Sequence, residues 1–197
     1  MDTVDFPPGP GHFSPMPTLL DQLAGGHPLT LGRTAAVAAQ VLAQPELIDE
    51  LFDGIADDDE AIRNRSIDAL ERVSARRPDL LRPYKRELLT RVSRIGHWAV
   101  RSHLCQILGR LDNYTPGERR RSITLIRGWL DEKSSIVKAV ALDCLVQLSL
   151  APGFAAERSA ATAFVEECAA HGETAALRAR ARLLRKQLAK LARAARA

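Results

Sequence analysis

Four stretches of the chain share one pattern of apolar positions: "AIRNRSIDALERVS" from Ala61, "AVRSHLCQILGRL" from Ala99, "IVKAVALDCLVQLS" from Ile136 and "ALRARARLLRKQLA" from Ala176. With Ile62, Val100, Val137 and Leu177 as position zero, successive copies are offset by 38, 37 and 40 residues. Position +4 reads Ser66, Leu104, Ala141, Ala181; position +7 reads Ala69, Ile107, Cys144, Leu184; position +11 reads Val73, Leu111, Leu148, Leu188. Apolar residues at 0, 4, 7 and 11 lie on one face of an α-helix. A unit of this size cannot bury its apolar face alone, so copies must stack on one another.

Helix punctuation agrees with that reading. Three residues before position zero stand Asp59, His97, Ser134 and Thr174, and three of these four are good N-cap types. The spacing predicts helices near residues 59–76, 97–112, 134–150 and 174–195. Leucine-bearing stretches beginning at Pro45, Arg82 and Pro116, and an alanine-rich one beginning at Ala161, predict a helix before each of them. No stretch alternates with period two. Two helices per repeat predict an all-α, right-handed α-solenoid of about four repeats plus a partial N-terminal one. Residues 1–17 are rich in proline and glycine and are expected to be disordered, which leaves residues 18–197 as a single domain. The start lacks a basic segment followed by an apolar core, so no signal peptide is expected, and no apolar run is long enough to span a membrane. Cys105, Cys144 and Cys168 are few and widely spaced, which speaks against a disulfide framework and for a reducing, cytoplasmic setting.

Each second helix opens with an aliphatic–basic pair: Ile62-Arg63, Val100-Arg101, Val137-Lys138 and Leu177-Arg178. An acid stands six residues before the base as Asp57 and Glu132. In these features residues 45–195 resemble the HEAT-repeat family, including its small single-domain bacterial members. The resemblance implies a stack of helix pairs with a partner-binding concave face and no fixed activity. It also implies a structural ladder of Asp57, Arg63, Arg101, Glu132, Lys138 and Arg178. Within it, Asp57 is the expected partner of Arg63 and Glu132 that of Lys138, because a half-buried cation needs pairing.

The remaining rows sort the side chains. Position +5 (Ile67, Cys105, Leu142) and position +8 (Leu70, Leu108, Leu145) are apolar until the last copy, which has Arg182 and Arg185. A terminal repeat has no following neighbour, so residues 173–197 read as a C-terminal cap. The outward rows should carry recognition, with Arg65, Asp68, Arg72, Trp98, His103, Arg110 and Asp143 as candidate partner-binding residues. Trp129 ends an apolar run and is expected in the core. Trp98 either covers the start of its helix or stands as an interface anchor. His97 and His103 lack the i, i+4 spacing of a helical metal pair, and no P-loop, G-x-S-x-G or G-x-G-x-x-G occurs. No catalytic residue, metal or cofactor is therefore expected.

Charge is distributed unevenly. Residues 1–60 carry eleven acids and one base, whereas residues 173–197 carry eight bases and one acid. The leading expectation is a non-enzymatic scaffold that binds a protein partner on its concave face, as a monomer or in weak head-to-tail association. The alternative is nucleic-acid binding through the basic C-terminal helix. The architecture also resembles HEAT-like alkylpurine DNA glycosylases, whose site implies tryptophan with aspartate and arginine. Arg101 lies near Trp98, but the next aspartate along the chain is Asp112. A bilin-lyase-like role ranks last, because those repeats are shorter and aromatic residues are scarce here.

Overall fold

Side-chain caps fix where the principal helices begin. Asp59 Oδ1 accepts from the Ala61 N–H at 2.7 Å, Ser134 Oγ from Val137 at 3.4 Å and Thr174 Oγ1 from Leu177 at 3.2 Å. His97 offers no such bond, so the helix behind it starts without a side-chain cap. The computed structural model describes residues 17–194, and every regular element among them is helical. In chain order these are α1 (Leu19–Leu23), α2 (Thr34–Ala43), α3 (Ile48–Asp53), α4 (Glu60–Arg76), α5 (Lys85–Thr90), α6 (Trp98–Arg110), α7 (Pro116–Gly128), α8 (Ser135–Ser149), α9 (Ala155–His171) and α10 (Ala175–Ala194). The stretch expected to be disordered lies, except for Pro17, outside the described residues. No helix among the described residues is long and apolar enough to cross a membrane.

The four helices read from the repeat are α4, α6, α8 and α10. The helices before them are shorter or broken. The helix expected from Arg82 starts three residues later, as α5 at Lys85. Short 3₁₀ turns complete this layer at Pro45–Leu47, Gly54–Ala56, Val92–Arg94 and Trp129–Asp131.

Packing follows the rows. α4 packs on α2 and α6, α6 on α8, and α8 on α10, while α3, α5, α7 and α9 each lie against the long helix that follows. Positions 0, +4, +7 and +11 are buried in all four helices, Ile62 alone being half-buried. Each leucine or isoleucine so buried contributes about 1.5–3 kcal/mol. Arg182 and Arg185 are exposed on α10, on which no further helix packs among the described residues. Trp129 is in the core. Polar ties join the shorter helices: Tyr84 donates to Asp49, Lys85 meets Glu118 at 2.8 Å and Arg120 meets Glu157 at 3.2 Å. Glu118 also forms a capping box with Thr115. Lys85 and the Thr115 N–H together hold the Glu118 carboxyl down to about 2.

The basic ladder is half-buried as expected, but its partners differ. Arg63 Nη1 donates to the Asp57 carbonyl at 2.9 Å, not to its carboxylate, which is taken by the Asp59 N–H. Arg178 repeats this geometry on the Gly172 carbonyl at 2.6 Å. Glu132 pairs with Arg101 and not with Lys138, which reaches Glu173 at 2.5 Å. Side chains on a helix lean toward its N-terminus. The base therefore meets either the loop before its own helix or the matching loop of the next unit.

Candidate functional site

Arg65 decides the shape of the N-terminal end. It was expected to face outward, yet it is 4% exposed. The loop between α1 and α2 crosses over it. Arg65 Nε donates to the Thr30 carbonyl at 3.0 Å. Nη1 donates to the carbonyls of Leu23 at 2.5 Å and Gly25 at 2.6 Å. Nη2 donates to the His27 carbonyl and to Thr30 Oγ1, both at 3.0 Å. The five guanidinium hydrogens are thus spent on the loop. Gly25, Gly26 and Gly32 bend this loop through positive φ of 73°, 70° and 48°. A Cβ on Gly32 would come within 3.0 Å of the guanidinium. Among the described residues no carboxylate pairs with Arg65; carbonyl dipoles take that part. Nothing in the repeat pattern signals this burial, because the covering loop lies 35–42 residues upstream and follows no period.

Beside the loop lies a cleft of about 160 Å³ lined by Pro28, Leu29, Leu31, Asn64, Asp68 and His103, with Trp98 at its edge. Arg65 contributes to its wall. Trp98 is 39% exposed, Leu29 58% and Leu31 62%. Trp98 therefore does not belong to the core. Ile136, 51% exposed, continues the apolar strip on the other side of Trp98, where the two residues line one shallow depression.

Asp68 was also expected to face outward, and it is 6% exposed. Its Oδ1 accepts from Arg72 Nε at 3.1 Å and stands 4.0 Å from His103 Nδ1. Arg110 pairs with Glu71 at 2.6 Å and donates to Ser74 Oγ and the Glu71 carbonyl. Asp143 meets Arg180 at 2.8 Å across α8 and α10. Positions +6 and +3 of successive long helices thus face each other twice, as Asp68 with His103 and as Asp143 with Arg180. The candidate residues Arg72, Arg110 and Asp143 are engaged in these inter-helix and local ties. Burial disfavours the charged form of both groups, pushing His103 down and Asp143 up.

One ligand-type atom from each of Asp68, Glu71 and His103 lies within a 4.8 Å group. Each carboxylate already holds an arginine through one oxygen, so the three groups form a polar tie between α4 and α6. The buried thiols of Cys105 and Cys144 are pushed well up by desolvation, so neither offers a thiolate nucleophile. An open groove of about 800 Å³ runs between α7 and α9, apolar at Ile123, Leu130 and Phe164. Of its charged residues Arg127, Asp131 and Glu167 are exposed and Glu157 is half-buried, and no buried polar side chain lines it.

At the other end, Arg182, Arg185, Lys186, Lys190 and Arg193 are exposed along α10, with Arg185 3.6 Å from Glu166. Arg196 lies outside the described residues. Asp112 pairs with Arg82, and Arg101 turns to Glu132 with its guanidinium 5.7 Å from the Trp129 ring. The residues that stand with Trp98 are instead Asp68 and Arg65 from α4. Comparison with protein-family models, with curated proteins and with solved structures finds no match to this chain.

Proposed function

We propose that the chain is a HEAT-like α-solenoid that acts as a non-enzymatic scaffold, binding a protein partner through the exposed surface formed by the loop between α1 and α2 and the starts of α6 and α8. The succession α2, α4, α6, α8, α10, each packed on the next, supports the solenoid, as does the repeat of buried rows at 37–40 residues. The observation that carries the binding site is the exposed apolar strip of Leu29, Leu31, Trp98 and Ile136. Its residues join through two depressions rimmed by polar side chains. Tryptophan at the centre of an apolar patch with a polar rim is how protein interfaces concentrate binding energy. The concave-face reading thereby narrows to the N-terminal end of the stack, since Arg72, Arg110 and Asp143 are already engaged.

Affinity purification of the tagged full chain, wild type against Trp98→Ser combined with Leu31→Ser, tests this reading. Both residues are exposed, so helicity by circular dichroism should be unchanged. The expected result is loss of a discrete partner. Retention of every partner by the double variant overturns it.

The exposed cations of α10 support nucleic-acid binding as the second reading. A duplex DNA shift that weakens steeply with salt, and is lost in Arg182→Glu with Arg185→Glu, would replace the first reading with this one.

A further inference from the structure

We propose that the cleft between residues 27–31 and α6 receives the ammonium end of a lysine side chain supplied by the protein partner. This rests on the partner-binding reading and names the chemistry of its central contact.

Three buried side-chain atoms of residues lining the cleft have no hydrogen-bond partner among the described residues: Asn64 Oδ1, Asp68 Oδ2 and His103 Nδ1. Asn64 and Asp68 are each 6% exposed. Glu60 Oε1 accepts from the Asn64 amide nitrogen at 3.4 Å, which leaves Oδ1 as the free end of that amide. Arg72 takes Asp68 Oδ1 and leaves Oδ2. Burial lowers the proton affinity of His103 and favours its neutral form, in which one ring nitrogen accepts. Asn64 Oδ1 and Asp68 Oδ2 are thus acceptors, and His103 Nδ1 is a third in the tautomer that carries its proton on Nε2. The one cation in the wall, Arg65, has no hydrogen left to give them, because the loop carbonyls and Thr30 take all five.

In that tautomer three acceptors stand without donors, and they specify the ligand. An ammonium has three N–H donors and no acceptor, whereas a guanidinium brings five donors in a plane. At about 160 Å³ the cleft is too small for an ordinary small-molecule pocket of ~300–1,000 Å³ and has the size of one side chain. Leu29 and Leu31 offer apolar surface to a methylene stem, and Trp98 offers a ring to the cation. A bare metal ion would use the acceptors but not the apolar rim. Glu71 with Arg110, and Arg72 with Asp68, are the remaining charges facing His103, and they balance in pairs. Protonation of His103 turns its acceptor into a donor, so acid should weaken the contact.

The test is titration of the isotope-labelled full chain, following the two indole N–H resonances by heteronuclear correlation. Trp98 reports on the cleft and the buried Trp129 is the internal reference. Nα-acetyl-lysine methylamide should shift Trp98 saturably at millimolar concentration and leave Trp129 in place. Nα-acetyl-norleucine methylamide, which keeps the stem and lacks the ammonium, should bind at least about tenfold more weakly, a loss of ~1.4 kcal/mol. Asp68→Asn should weaken the lysine response by at least about the same factor. The comparison of the two amides uses the wild-type protein and stands even if that variant misfolds.

Equal responses to the two amides, or no Trp98 shift with lysine amide, overturn the proposal. So does a Trp98 shift with zinc chloride alone when lysine amide gives none. A lysine response together with a partner retained by Trp98→Ser/Leu31→Ser upholds the pocket and overturns the scaffold reading. A partner lost from that double variant without any lysine response does the reverse.

Discussion

Arg65 of α4 and Arg180 of α10 stand at the same register position of the repeat, yet they live in different surroundings. Arg65 is buried under the loop between α1 and α2, with its hydrogens spent on backbone carbonyls. Arg180 is partly exposed and rests on one carboxylate, Asp143. Register fixes the direction in which a side chain leaves its helix. What it meets there depends on what is packed over that face. At the N-terminal end a glycine-bent loop roofs the row and builds the cleft beside Trp98. At the C-terminal end nothing among the described residues follows α10, and its outer rows turn to arginine.

The sharpest way to break this comparison is to remove each arginine. Arg65→Ala strands several loop carbonyls and should cost about 3–5 kcal/mol in urea unfolding, with faster hydrogen exchange in the segment it clamps. Arg180→Ala loses a partly exposed pair and should cost at most about 1 kcal/mol. Equal costs would mean that the loop is not held by Arg65. A similar contrast holds for leucines on the long helices. Leu104 has no exposed surface, whereas Leu183 is 61% exposed. Leu104→Ala should cost about 2–5 kcal/mol and Leu183→Ala no more than about 0.5 kcal/mol.

Much of this fold was legible in the sequence because its signal is both periodic and repeated. Val100, Leu104, Ile107 and Leu111 form one stripe, and three other helices carry the same stripe, so their boundaries agree with expectation to within a residue or two. The burial of Arg65 was not legible, since its covering loop follows no period. The ladder was legible in its bases but not in its acids. Glu132 stands six residues before Lys138, yet it serves Arg101, one unit earlier. Partner choice depends on the inter-helix offset, which spacing along one chain does not encode. A readable signal was missed in the shorter helices. Asp49, Tyr84, Lys85, Glu118, Arg120 and Glu157 recur at roughly the repeat spacing and tie those helices in turn.

Helix starts give smaller differences. Asp59→Ala removes a working cap from α4 and should cost about 1 kcal/mol. His97→Ser supplies α6 with the cap it lacks and should raise stability by about 0.5–1 kcal/mol, read as a higher urea midpoint. No gain would mean that the His97 contact with Glu60, at 3.2 Å, already compensates.

The smallest effect is on pH. The folded state holds His103 below its ordinary value of 6.5, chiefly by desolvation. Between the folded and unfolded values the unfolded chain binds more protons, so stability rises with pH there. The His103 contribution should be intact above 6.5 and decline as pH falls below it. His103→Gln should flatten that part of the urea-midpoint profile. An unchanged profile would show that His103 is not the group responsible.

The partner-binding reading sets the face around Trp98 against the basic strip of α10, and site-specific photo-crosslinking compares them directly. A photoreactive phenylalanine replaces Trp98 in one protein and Arg182 in another, and both are irradiated in cells. The account predicts a discrete protein adduct from position 98 that is lost when Leu31→Ser is added, and none from position 182. An adduct to protein or nucleic acid from position 182 alone would contradict it.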